Sequence, residues 1–227
     1  MRVSRWGNIL RVRHTPENSV PFYLPPTQRL NALYPRHEHR LREWDRETLF
    51  FDGWLFRNPE GILGYRARIR EYLRPNESIE RSVTGFMTGV REIYQHVVGV
   101  HIRQGDYRHH DGGKYYIAPR DIARILTDYL HRTERKYVGF VLCSDESLDA
   151  ADFAGLPVVF ARGSEVSDLF TLAACDLIIG SNSTYGAFAS YYGDVPFLVF
   201  SRGPTDWSGI DAKCGYEENK NATMVCY

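Results

Sequence analysis

No run of this sequence approaches the roughly 18 consecutive apolar residues that a bilayer-crossing helix needs. The first residues also lack the apolar core of a secretory leader. A cytoplasmic chain is therefore expected, and the N-x-S/T triplets at Asn76, Asn182 and Asn221 are expected to stay unmodified. Cysteine is scarce: four residues, at 143, 175, 214 and 226, show no CxxC spacing and no disulfide-scaffold density. Cys143 and Cys175 fall in apolar segments, which reads as reduced, buried thiols. Net charge is absent, since 28 Lys and Arg balance 28 Asp and Glu at a pI near 7.1. Nothing there favours nucleic acid, and any anion site must be local. No Gly-x-Gly-x-x-Gly follows a strand, and there is neither a GxxxxGK[ST] loop nor an Asp-x-Asp pair. These absences argue against dinucleotide-dependent hydride transfer and P-loop hydrolysis. The segment 180–184, GSNST, lacks the second glycine of a serine-nucleophile elbow, which argues against a hydrolase triad.

What is present is a core. The chain has 227 residues, 43% of them hydrophobic, enough for one large domain or a domain with an appendage. Residues 1–50 are rich in Arg, His, Pro and Glu, with VPFYLPP as the apolar cluster and HEHRLREWDRE as a short charged helix. No compact domain is expected there. FFDGWLF reads as a short strand or turn, and GILGYRARIREYLRP as a helix stopped by Pro75, followed by a second helix over 78–94. From residue 97 onward, buried β-branched runs alternate with helical patterns. Strands are expected at VVGVHI, YVGFVLCSD, PVVFA, DLIIGS and PFLVF. Helices are expected from Pro119, over EVSDLFTLAAC behind a Ser164 cap, and over NSTYGAFASYYG. That alternation implies parallel βαβ units. The expected fold is α/β, a Rossmann-like parallel sheet with flanking helices over 96–227, preceded by a reduced helical or irregular portion over 1–95. The tail after Ser201, rich in Gly and Pro, reads as irregular.

Three polar strand ends carry the candidate chemistry. VVGVHIRQGDY delivers His101, Arg103 and Asp106 to the mouth of a buried strand, with Gly105 at the turn. In open α/β sheets ligands bind beyond the carboxyl ends of the strands. Arg103 can there grip a phosphate or carboxylate through two parallel hydrogen bonds. Alternatively Arg103 and Asp106 pair with each other and close the strand end. In DLIIGSNST a strand passes through Ser181, Asn182, Ser183 and Thr184 into a helix, whose unpaired first-turn N–H groups and positive dipole end attract a phosphate. Ser181 or Asn182 is also expected to cap that helix. VLCSDES places Ser144, Asp145 and Glu146 at the same edge, suited to ribose hydroxyls or guanine N–H groups, or to capping the turn that follows. His109, His110 and Asp111 read as a solvated loop rather than metal ligands.

His101-x-Arg103-x-Gly105-Asp106-Tyr107, the SDE segment and SNSTYGAFASYYG together resemble the donor-binding half of the α-1,2-fucosyltransferases, over about 50–200 in the same order. The resemblance implies a GT-B glycosyltransferase that transfers fucose from GDP-fucose, or a related GDP-sugar, to a glycan hydroxyl with inversion and without a metal or other cofactor. It makes Arg103 the residue on the donor phosphates, with Gly105, Tyr107, Ser144, Asp145, Ser181, Asn182, Ser183 and Thr184 lining the donor site. Asp106 becomes the first candidate for the base that deprotonates the acceptor, and His101 the second. Gln104 stands where the family has a second arginine, and no GGLGNQ-type turn is found, so 1–95 reads as the remnant of an acceptor domain. The alternative is a non-catalytic or degenerate GDP-sugar-binding module that needs a separate acceptor domain. A partner chain or homo-oligomer fits either reading.

Overall fold

The computed structural model describes the backbone at 2–6, 9–13 and 49–51, residues 64–161 and 163–200, and positions 203, 205 and 207. Two compact units are formed, Met1–Tyr65 and Arg66–Tyr227. In the first, β1 (Arg2–Trp6), β2 (Ile9–Arg13) and β3 (Leu49–Phe51) make an antiparallel sheet in the order β1-β2-β3, with Arg2 opposite Arg13 and Ile9 opposite Phe51. Strands therefore replace part of the helical or irregular portion expected here. Leu10 and Val12 alternate with Arg11 and Arg13, a period-two pattern that the cationic composition obscures. The helix expected at HEHRLREWDRE, the VPFYLPP cluster, Cys214, Cys226 and Asn221 lie outside the described residues.

Among the described residues the second unit holds five α-helices and five strands. In chain order they are α1 (Arg66–Tyr72), α2 (Glu77–Ile93), β4 (His96–Ile102), α3 (Pro119–Arg132), β5 (Val138–Ser144), β6 (Val158–Phe160), α4 (Glu165–Ala173), β7 (Leu177–Gly180), α5 (Thr184–Gly193) and β8 (Phe197–Val199). All five strands run parallel in the order β6-β5-β4-β7-β8. This is the α/β sheet that the alternating pattern predicts. Chain order reverses between β4 and β7, so a crevice opens at their carboxyl ends.

Helices cover both faces. On one, Ile122, Leu126 and Tyr129 of α3 pack on Val98, Val100, Ile102, Phe140 and Ile179. On the other, Met87 and Val90 of α2, Leu172 of α4 and Ala187 of α5 pack on Val97, Val141 and Ile178. Each large aliphatic side chain so buried contributes about 1.5–3 kcal/mol. α2 buries Met87 and Val90 in this core, and the compact unit begins at Arg66. The shorter α1 buries nothing and is held by polar groups: Arg66 Nε donates to the Tyr191 carbonyl at 2.9 Å, and its guanidinium pairs with Asp194 at 3.0 Å.

The helix starts follow from local chemistry. Asn76 accepts from the Ile79 amide at 3.0 Å, Pro119 occupies the first turn of α3, and Ser164 accepts from the Ser167 amide at 3.3 Å. At the amino ends of the strands, Asp176 accepts from the Val97 amide at 2.8 Å and takes two hydrogen bonds from Arg91. Cys143 and Cys175 are buried free thiols.

The end of α5 presses on the end of α4. A Cβ added at Gly193 would stand 2.0 Å from the Ala173 carbonyl oxygen, a backbone atom that cannot swing away. Gly193→Ala is expected to lower unfolding stability by about 1–3 kcal/mol through overpacking, measured by urea denaturation. An unchanged midpoint would mean that the two helices are not held at this distance.

Candidate functional site

The crevice between β4 and β7 is where the predicted residues meet. β4 ends at Ile102, and the backbone amide of Arg103 donates to Ser181 Oγ at 2.9 Å, while the Ser181 amide donates to the His101 carbonyl at 2.9 Å. The Tyr107 hydroxyl donates to the Asn182 carbonyl at 2.5 Å. Two segments about 75 residues apart in sequence, the Arg103 turn and the approach to α5, are thus tied together at three points. Asp145, at the end of β5, accepts from the Gln104 amide at 2.7 Å and the Gly105 amide at 3.2 Å. Its carboxylate caps the turn after β4, not the turn that follows its own strand. Gly105 makes that turn at φ −37°, ψ −92°, outside the left-handed region, and its usefulness lies in space: a Cβ would meet Asp145 Oδ2 at 3.2 Å.

Ser183, rather than Ser181 or Asn182, caps α5, accepting from the Tyr185 amide at 3.2 Å. The reason is that the Ser181 hydroxyl is already engaged by Arg103, one residue past the end of β4. Thr184 opens the helix. Ser144 supports its own turn, its hydroxyl accepting from the Glu146 amide at 3.3 Å.

Arg103 carries the exposed charge of the site. Its Nε and terminal nitrogen donate to the two Asp106 oxygens at 2.8 and 2.9 Å, and its guanidinium lies 5.1 Å from the Tyr107 ring centre. Hydrogen bonding to Arg103 lowers the Asp106 pKa below the usual carboxylate range. Both groups are substantially exposed, with side chains 38% and 55% accessible. Exposed ion pairs are weak, so an incoming anion can take the place of the Asp106 carboxylate. Gln104 points inward, 2% exposed, its amide donating to the Ile117 carbonyl at 2.9 Å. The residue standing where the resembled family has a second arginine therefore anchors a loop.

His101 lies beneath the turn, buried, its ring 4.9 Å from that of Tyr185, with Nε2 unpartnered. Burial, with a smaller contribution from Arg103, pushes its pKa down to about 4. Such an imidazole is neutral at physiological pH and a poor proton acceptor from a hydroxyl.

One part of the site is less plain in the sequence. A cleft of about 570 Å³ opens beside β6, walled by Val83 and Phe86 of α2, Val159 and Phe160 of β6, and Thr171 and Asp168 of α4. Asp168 is half-buried with its Oδ1 shielded and unpaired; burial raises the carboxyl above the usual range, a hydrogen bond from the Gly163 backbone opposes the rise, and the charge of Glu165 adds to it. The signal lies in helical spacing: Asp168 shares a face with buried Thr171 and Leu172, three and four residues on. The Tyr185 ring meets His101, and its hydroxyl donates to the Glu165 carbonyl at the start of the helix that carries Asp168.

Among the described residues no helix is long and apolar enough to cross a membrane. Comparison with protein-family models finds no match, and no curated protein matches. Among solved structures, the chain is similar to NodZ α-1,6-fucosyltransferase soaked with GDP-fucose, at 18% identity and TM-score 0.44, over 56% of this chain and 45% of that one. It is also similar to NodZ co-crystallized with GDP, at 16% identity, TM-score 0.42 and 64% and 62% coverage. A third is the Se-Met NodZ of Bradyrhizobium, at 14% identity, TM-score 0.42 and 64% and 63% coverage. The chain thus spans less than two thirds of the length of each.

The neutral burial of His101 has a consequence for pH. Unfolded, its imidazole titrates near the ordinary 6.5; folded, near 4. Between these values the unfolded chain binds the extra proton, so stability rises with pH. The contribution is full above 6.5 and is lost as pH falls toward 4, by at most roughly 3 kcal/mol. His101→Gln should flatten the stability profile between pH 6.5 and 4, measured by urea denaturation at each pH. An identical profile in the variant would contradict the assignment.

Proposed function

We propose that this chain binds a GDP-sugar, GDP-fucose or a close relative, and transfers the sugar to a glycan hydroxyl with inversion and without a metal. The observation that carries the reading is the triple tie between the Arg103 turn and the start of α5, which sets a guanidinium beside a helix amino end at the switch point of the sheet. A diphosphate fits that pairing, and its charge rises as the sugar–phosphate bond breaks. Groups of this kind stabilise the leaving diphosphate more in the transition state than in the ground state. Metal independence and the α-1,2 linkage follow the HxRxGDY and SNST resemblance.

Asp168 supports guanine as the base. Guanine presents adjacent N1–H and amino donors, the complement of a half-buried carboxylate whose shielded Oδ1 is unpaired, and Phe86 and Phe160 supply apolar walls. When Arg103 moves to the diphosphate, Asp106 is released from both hydrogen bonds and becomes the free carboxylate beside the reacting centre. It is the proposed base, with His101 beneath as a support. A second reading, a binding module without turnover, is favoured by the state in which Arg103 holds both Asp106 oxygens.

Arg103→Ala should weaken GDP binding by about 10- to 100-fold, the loss of one or two charge-assisted hydrogen bonds, measured by calorimetry. Asp168→Asn should weaken GDP by about tenfold and leave ADP unchanged. Wild-type GDP affinity in both variants would sink the site. For Asp106→Asn, GDP should bind at least as tightly as in the wild type while transfer to a glycan panel falls by about 100-fold or more. Measurable transfer at the wild-type rate would remove Asp106 as the base, and GDP binding without any wild-type transfer would favour the module.

A further inference from the structure

Beside Arg103 stands an aromatic cluster of which the donor site uses only Tyr107. The ring centres of Tyr107, His110 and Tyr115 lie 6.1, 5.8 and 6.0 Å apart pairwise, with planes inclined by 20°, 46° and 27°. In a stack of three rings the outer pair would be twice as far apart as the inner ones. Near-equal spacings instead make a triangle of ring centres in which no ring is sandwiched between the other two. Lys114 lies 5.1 Å from the Tyr115 ring centre, as Arg103 does from Tyr107.

The loop is built to hold these rings still. Asp111, Gly112 and Gly113 take successive left-handed conformations at φ 48°, 66° and 76°, and a Cβ on Gly113 would meet the Arg108 carbonyl at 3.0 Å. Arg108 bonds Tyr116 at 3.0 Å and Glu146 at 2.5 Å, Gln104 holds the Ile117 carbonyl, and the Tyr107 hydroxyl is fixed on Asn182. His110 remains exposed and Tyr115 half-buried. Aromatic surface fixed in advance costs little entropy when a ligand binds.

We propose that Tyr107, His110 and Tyr115 form the platform on which a pyranose ring of the acceptor glycan lies. A pyranose has an apolar C–H face and a hydroxyl rim. The electron-rich ring faces attract its C–H groups, and the Lys114–Asp111 pair, with Lys114 over one face of Tyr115, offers charged partners to hydroxyls. The assignment to the acceptor rests on the donor reading above: the diphosphate occupies Arg103 and the start of α5, the base the cleft by Asp168, and the platform begins at Tyr107, 5.1 Å from the Arg103 guanidinium. Tyr107 is then shared, one ring under both the arginine and the acceptor.

The test uses the full chain with saturating GDP and, as probes, the methyl β-pyranosides of galactose and N-acetylglucosamine. Saturation-transfer NMR should show enhancement of the sugar C–H protons with the wild type. The enhancement should fall at least fivefold in His110→Ala and Tyr115→Ala and survive in Tyr115→Phe, with GDP affinity within twofold throughout. Wild-type enhancement in both alanine variants, or none for either sugar in the wild type, overturns the platform. So does a loss confined to the fucose ring of GDP-fucose, which would make the cluster a donor contact. Should the wild type fail to bind GDP, the donor reading falls, while loss of the sugar signal in the same variants still supports a pyranose platform.

Discussion

One hydrogen bond sets the geometry of this site: the Arg103 amide to the Ser181 hydroxyl at 2.9 Å. It joins the first residue past β4 to the first residue past β7, the two strands between which chain order reverses. With the reciprocal bond from the Ser181 amide to the His101 carbonyl, it continues the strand pairing for one more step beyond the sheet. A serine supplies the link because a short hydroxyl can reach a neighbouring amide while its own backbone stays in register. The link consumes Ser181, so the capping of α5 passes to Ser183 and leaves the start of that helix beside the arginine.

The acidic residues of the edge divide according to what surrounds them. Asp145 is spent on two backbone amides and holds the turn. Glu146 is spent on Arg108 and holds the loop. Asp106 is exposed and paired with a side chain that can leave it, and Asp168 is half-buried with one shielded oxygen unpaired. The first two are structural because their partners are fixed. The last two are available for chemistry because one partner is exchangeable and the other missing. In the proposed function, that division, more than the number of charges, is what would let a chain of zero net charge hold a local anion site.

Most of the sheet was legible in the sequence because its strands are buried on both faces and read as short, unbroken β-branched runs, such as VVGVHI and DLIIG, that alternate with helical patterns. The convergence of Arg103 with 181–184 was equally legible, since parallel strands share a direction. The inward turn of Gln104, the capping of the β4 turn by Asp145 and the shift of the α5 cap to Ser183 depend on distances across strands, which no local pattern encodes. Asp168 was hidden differently. It follows the helix period as an apolar residue would, and an acidic residue in the first turn reads first as a dipole partner. The strands at 2–6 and 9–13 were masked by arginine, whose long stem fits a strand while its charge suggests a loop.

The most direct measurement is a crystal structure of the chain with GDP. The account predicts the β-phosphate between the Arg103 guanidinium and the first-turn amides of α5, Asp106 released from Arg103, and the guanine edge on Asp168. Phosphates bound away from Arg103, with the Arg103 to Asp106 pair intact, would contradict it.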